Sequence, residues 1–257
     1  MKYELTNNKQ NGLTQIRALK DFGDVKKGDL GGWIENENNL SQEGNAWVYG
    51  NAQVHGDAQV SENAHVYGNA IVFGYAWVHG NARVSENSHV YGNAIVSENA
   101  WVYGNAWVYG NAQVSENAQV SENARVFGDA RVSENARVSG DAWVYGNAHV
   151  YGNAVVSGDA RVYGNAVMSG DARVYGNAHL NAKSLYKKGW FIGGDLSGKI
   201  TEIKNQTGND YLKVQYVLGD YEITPIEEEP KEDPSIKAAI ELLQSKGMIV
   251  DGKILKN

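Results

Sequence analysis

The sequence predicts a mainly β chain organised as a solenoid of triangular coils, and three observations carry that prediction. From Ala46 onward the chain reads A-x-V-x-[GE]-[ND] every six residues; the Ala phase runs to Ala178 without insertion, giving 23 repeats in which only Ser88 is not Ala. The Val phase, Val48 to Leu180, departs from Val only at Met168 and Leu180. The residues that follow each Val also sort by type at a period of eighteen, or three repeats. One column reads His55, Phe73, Tyr91, Tyr109, Phe127, Tyr145 and Tyr163, all rings; the next is mostly Ser, and the third is mixed. Unlike columns recurring every eighteen residues describe a prism with three different faces.

Composition bounds the rest. At 257 residues the chain is one large domain or two modest ones, and 42% apolar with 21% charged residues is an ordinary soluble balance. With no Cys, disulfides, thiolate metal sites and a cysteine nucleophile are excluded. A net charge of −7 argues against nucleic acid as a partner. No apolar run approaches the ~20 residues that span a bilayer, so no membrane association is expected. The opening MKYELTNNKQ lacks the apolar core of a secretory signal, and the expected location is the cytoplasm of the host cell.

Residues 1–45 read as an N-terminal cap, with strand-like stretches at 2–5 and 14–19 before the turn-rich DFGDVKKGDLGG. A solenoid leaves an open apolar end that must be covered to prevent end-to-end pairing. Ile34 and Leu40 share the Ala phase, so the first coil is expected to start near residue 33.

Residues 46–181 form the solenoid. Ala and Val lie two apart and point inward together, while the residues flanking Val, such as Trp47 and Tyr49, point outward. Glu replaces Gly freely at the first corner position, which argues against a left-handed backbone there. The Asn/Asp that follows is therefore assigned the left-handed slot. Tyr75, the one bulky residue in that slot, would then carry about 1–2 kcal/mol of strain. Stacked corner Asn residues are expected to form amide ladders.

Hexad phase is lost after Leu180. Residues 182–226 become short alternating strands broken by NQTGND and GD turns, read as a small β module resembling SH3-like barrels in strand count and glycine placement. Residues 227–233 form an acidic linker, and 234–257 a helix plus short hairpin. Ile236, Ile240 and Leu243 line one side of that helix, which is too short to persist unaided and must dock.

The A-x-V-x-G-[ND] rhythm resembles the hexapeptide repeat of left-handed β-helix proteins, which include many acyltransferases and γ-class carbonic anhydrases. The stretch Asp21–Trp33 (DFGDVKKGDLGGW), followed by Asn39–Ala46 (NLSQEGNA), is similar to the opening of an uncharacterised bacterial and prophage hexapeptide-repeat family whose members are often labelled acetyltransferases. The resemblance covers residues 1–181. It implies a left-handed parallel β-helix of about 7–8 coils and a phage or prophage origin, and leaves the reaction open.

An acyltransferase of that type needs a His base. His55, His65, His79, His89, His149 and His179 all occupy outward positions, and no loop interrupts the repeats to shape an acceptor pocket. No two of these histidines lie eighteen apart, so no metal site is assigned. No catalytic residue and no cofactor are assigned. The ring column from Phe73 through Tyr91, Tyr109, Phe127 and Tyr145 to Tyr163, with Trp101, Trp107 and Trp143 on two faces, is the candidate binding surface. Arg125, Arg131 and Arg137 fall one per side around a single coil and form no patch of their own.

The expected function is a non-enzymatic recognition or assembly scaffold. It would bind a protein partner, including inhibition of a host factor, or itself, as a homotrimer for example. An acyl-CoA-dependent acyltransferase and a glycan-binding, tail-associated protein are the alternatives. If residues 227–257 serve a contact, truncation after Ile226 leaves the melting temperature of the solenoid nearly unchanged and abolishes assembly or binding. A large drop in calorimetric melting temperature would show instead that the segment caps the prism.

Overall fold

A computed structural model of the chain describes residues 1–181, 185–192, 195–197, 212–217 and 220–225, with side chains described through 180. The linker and the docking helix with Ile236, Ile240 and Leu243 lie outside the described residues.

From Trp47 to Val156 each repeat contributes a strand of two residues, which pairs in parallel with the strand eighteen residues on. Gln53–Val54 pairs with Ile71–Val72, which pairs with His89–Val90, and so on around a parallel β-solenoid. Three faces result. Face I begins with Trp33–Ile34 and Gln53–Val54, face II with Trp47–Val48, and face III with Gln59–Val60. The backbone bonds run along the axis: Gln53 N–H donates to Ala70 C=O at 2.9 Å and His55 N–H to Val72 C=O at 3.0 Å, a pattern the later coils repeat. From residue 33 to 181 this makes about eight coils, roughly 40 Å at ~4.8 Å per coil.

The Val and Ala columns fill the interior and are fully buried. Met168 and Leu180 continue the Val column with larger side chains near its end. Ser88 keeps its place in the Ala column because its hydroxyl donates to the Ser85 carbonyl at 2.6 Å, so the buried oxygen is satisfied.

The corners correct one expectation. The left-handed residue is the first corner residue, Gly or Glu, and not the Asn or Asp that follows. Glu62, Glu86, Glu98, Glu116, Glu122 and Glu134 all have φ between 57° and 59°, beside glycines such as Gly74 at 73°. Free replacement of Gly by Glu therefore reflects a tolerated cost rather than an ordinary backbone. Part of the compensation is visible: the carboxylates of Glu62 and Glu122 accept from the N–H groups of Gly80 and Gly140 one coil on, at 2.9 and 2.7 Å. Tyr75 accordingly bears no left-handed strain, because Gly74 takes that conformation.

The Asn column builds amide ladders, each Nδ2 donating to the Oδ1 one coil on. One runs from Asn45 to Asn63 at 3.0 Å and on through Asn81, Asn99, Asn117, Asn135 and Asn153. It ends at Asp171, which accepts at 3.1 Å and has no amide with which to continue. A second ladder ends at Asp141 for the same reason.

The N-terminal cap is an antiparallel extension of face I. Strands β1 (Tyr3–Gln10) and β2 (Leu13–Ala18) form a hairpin, and β2 pairs with β3 (Leu30–Ile34), whose end joins the first coil. Ile34 and Leu40 stack on Val54 and Val60, so they belong to the Val column and not the Ala column. That first coil spans twenty residues, because two extra residues are inserted between Ser41, whose N–H donates to Val60 C=O, and Asn45, whose N–H donates to Glu62 C=O, forming a bulge. Gln42 uses the bulge to accept from Lys2 N–H at 2.7 Å and so pins the hairpin. Trp47, expected on the surface, is buried beneath this cap, edge-on to Phe22 and Tyr3 at 5.3 and 6.1 Å. Lys2 is buried with it, donating to the Ala46 and Glu43 carbonyls; desolvation, with Lys20 adding to it, lowers its pKa to about 8.

Beyond 181 the hexad ends but pairing continues. Leu185–Ile192 pairs in parallel with Val167–Tyr175, first eighteen and then seventeen residues apart, and Asp195–Ser197 pairs with His179–Asn181 at sixteen. The first part of the segment read as a separate β module thus adds to the solenoid sheets. Leu212–Val217 and Asp220–Pro225 form an antiparallel hairpin.

Two substitutions separate corner strain from corner stacking. Glu116→Gly removes a left-handed side chain and a carboxylate standing between Glu98 and Glu134, so it should stabilise the protein by about 1 kcal/mol. Gly152→Ala would place a Cβ 2.5 Å from the Gly170 nitrogen and should lower the melting temperature sharply. Chemical denaturation of both variants checks the opposite signs.

Candidate functional site

Face I carries the ring column. His55, Phe73, Tyr91, Tyr109, Phe127, Tyr145 and Tyr163 stack face to face with centroids 4.7–5.2 Å apart and planes within 9°. The spacing is that of the backbone ladder beneath, because each ring grows from equivalent positions of successive coils. All seven rings are half-buried. Their faces are spent on one another, so the column offers solvent ring edges and, on its tyrosines, hydroxyl groups. Burial raises the phenol pKa of Tyr91 and of Tyr109.

Beside the ladder runs a second row from the residues that precede Val. Trp107 tilts against His89 at 4.9 Å, and the Arg125 guanidinium lies 5.6 Å from Trp107 and 5.1 Å from Trp143. Arg161 covers Trp143 from the next coil at 5.0 Å. The two rows touch edge to face, at 6.0 Å for both Tyr91–Trp107 and Phe127–Trp143. Trp107 and Trp143 therefore join the ring column in one continuous surface. Trp101 does not: it lies on face II, its Nε1 donating to Ser85 Oγ at 3.1 Å and its ring tilted over Tyr103.

The column of residues after Val does not contain Arg125 or Arg161, so it gives no sign of this second row. The residues before Val, taken at the same period of eighteen, place His89, Trp107, Arg125, Trp143, Arg161 and His179 in one column. Arg125 still forms no patch with Arg131 and Arg137; its partners are the tryptophans eighteen residues to either side.

The histidines are scattered. His55 ends the ring column beside a cleft of about 270 Å³ lined by Asn11, Gly12, Leu13, Glu35 and Gln53. His65 packs edge-on to Tyr49 at 5.4 Å, and His79 Nδ1 lies 3.8 Å from Glu62. Among the described residues no three His, Asp or Glu side chains come together as a metal site, and no helix is long and apolar enough to cross a membrane.

The pairing, the Val and Ala interior and the stacked columns define a hexapeptide-repeat β-solenoid protein. A family profile described as the YdcK β-solenoid repeat matches residues 64–80, 90–103, 100–116, 118–134, 130–146, 142–158 and 156–170, so the chain carries YdcK-type repeats. It is similar to a protein of Escherichia coli (strain K12) named uncharacterized acetyltransferase YdcK, 56% identical over 36 residues. That stretch is 14% of this chain and 11% of the relative's length.

Three histidines give the surface a pH dependence. Desolvation lowers the pKa of His55 against the opposing charge of Glu35; it lowers His65, with Arg83 adding to it, and His149, with Arg131 adding to it. Each binds its proton more weakly folded than unfolded, so unfolding takes up protons near pH 6. Stability is then full above the unfolded value of about 6.5 and falls as the pH drops through it. Thermal melts from pH 8 to 5.5 should show this loss, reduced when the three are replaced by Gln.

Proposed function

We propose that this protein is a rigid, non-catalytic scaffold that uses face I to bind a protein partner or a second copy of itself. The observation that carries this reading is the continuous double row on one flat face: seven stacked rings beside alternating Trp and Arg. Ring edges, tyrosine hydroxyls and guanidinium groups together form a surface rich in the residue types that dominate protein interfaces. The neighbouring coils already hold these side chains in place, so little conformational entropy remains to be lost on association. Arg125 and Arg161 on this face favour an opposing surface with carboxylates or carbonyls.

The test is the oligomeric state, with a probe for the acyltransferase alternative beside it. Trp107 is 37% exposed at the rim of the double row, so Trp107→Glu perturbs the face without emptying the core. Sedimentation velocity should show self-association of the native chain that this variant shifts toward monomer. A native chain that is monomeric at all concentrations removes the self-association reading. A rise in melting temperature with acetyl-CoA would favour an acyltransferase.

A further inference from the structure

Face I does not hold the most exposed rings of the solenoid. Tyr75 is 69% exposed and Trp77 is 42% exposed, and they lie two residues apart where face I turns into face III. Tyr75 departs from what the fold needs. At the corner that Tyr75 occupies, the other coils place Asp57, Asn93, Asn111, Asp129, Asn147 and Asn165. An Asn there would donate to Asn93, as Asn93 donates to Asn111 at 2.9 Å. Tyr75 forgoes that bond and gains no burial in exchange. A substitution that costs the fold a bond and leaves a large ring in water has its reason outside the fold.

Trp77 is exposed but fixed. Its Nε1 donates to Ser61 Oγ at 3.1 Å, and its ring stacks on His79 with centroids 4.0 Å apart. His79 is in turn placed near the Glu62 carboxylate at 3.8 Å. Two rings thus stand in a setting of hydroxyl, imidazole and carboxylate groups. The apolar part is far smaller than the ~800 Å² per partner of a standard protein interface. It matches one or two sugar rings, whose C–H faces pack on aromatic rings while their hydroxyls bond to the polar rim. The surrounding charge is negative, from Asp57 and Glu62, and no Lys lies anywhere in residues 46–181, which selects a neutral saccharide over an acidic one.

We propose that Tyr75 and Trp77, with Ser61, Glu62 and His79, form a binding site for a neutral oligosaccharide. The site is separate from the face I double row and independent of whether that row binds a partner. Isothermal titration of the full chain with cellotetraose and with chitotetraose tests it, with the acidic tetragalacturonate as a third probe. At least one neutral tetramer should give saturable binding, weakened about tenfold or more both by Tyr75→Asn, which restores the residue common at that corner, and by Trp77→Ala. Tyr75→Asn should fold with an unchanged or higher melting temperature, so its loss of binding cannot be ascribed to unfolding. The proposal is overturned if neither neutral tetramer binds, if binding survives both substitutions, or if tetragalacturonate binds as well as the neutral probes.

Discussion

The solenoid depends on the axis-directed hydrogen bonding that joins each coil to the next and holds equivalent residues eighteen apart in register. Donor and acceptor are seventeen positions apart, and the bonds close at about the same length from coil to coil, as in His89 to Ala106 and Arg125 to Ala142, both 2.9 Å. Because the coil length is constant, identical residues are brought over one another at the strand spacing. Any side chain that interacts well with its own kind is then amplified along the axis. Val against Val makes the dry wall, Asn against Asn the amide ladder, and ring against ring the stacked column. The same constraint brings like-charged residues to equivalent positions of successive coils, as with Glu98, Glu116 and Glu134. At Glu62 and Glu122, which have Gly one coil on, the carboxylate instead accepts from that Gly N–H.

That constraint also explains why the two aromatic features differ in kind. Rings repeated in every coil stack on each other and show their edges, so the ladder is first a structural element. Each contact adds about 0.5–1.5 kcal/mol beyond the area it buries. Tyr75 and Trp77 occur in a single coil and have no equivalents to stack on, so their exposure persists. In a repetitive protein, departures from the repeat therefore stand out as candidates for function, and Ser88, which departs but is buried and bonded, shows how a structural departure differs.

The ends are handled by breaking the constant coil. At the N-terminus the bulge between Ser41 and Asn45 lengthens the first coil to twenty residues and frees Gln42 to hold the hairpin. The hairpin also covers the outer side of Trp47, a position that elsewhere faces water. At the other end the coil shortens from eighteen to seventeen and then sixteen as the hexad disappears.

The sequence by itself determined the solenoid, its three faces and the ring column, because strict periods of six and eighteen map one-to-one onto inward direction and coil position. It could not determine which corner residue is left-handed. Gly tolerates that conformation and Asn is the usual second choice, so preference pointed to Asn; the need to continue the axial bonds through the corner overrode it and imposed positive φ on six glutamates. Nor could it place Trp47 or show that Ile34 and Leu40 belong to the Val column, since both depend on a bulge that breaks the count. The pairing of Arg125 and Arg161 with Trp143 was present in the sequence at the same period of eighteen. That those groups touch, and that their row meets the ring ladder edge to face, was decided by side-chain packing on a flat face, a matter of tertiary structure.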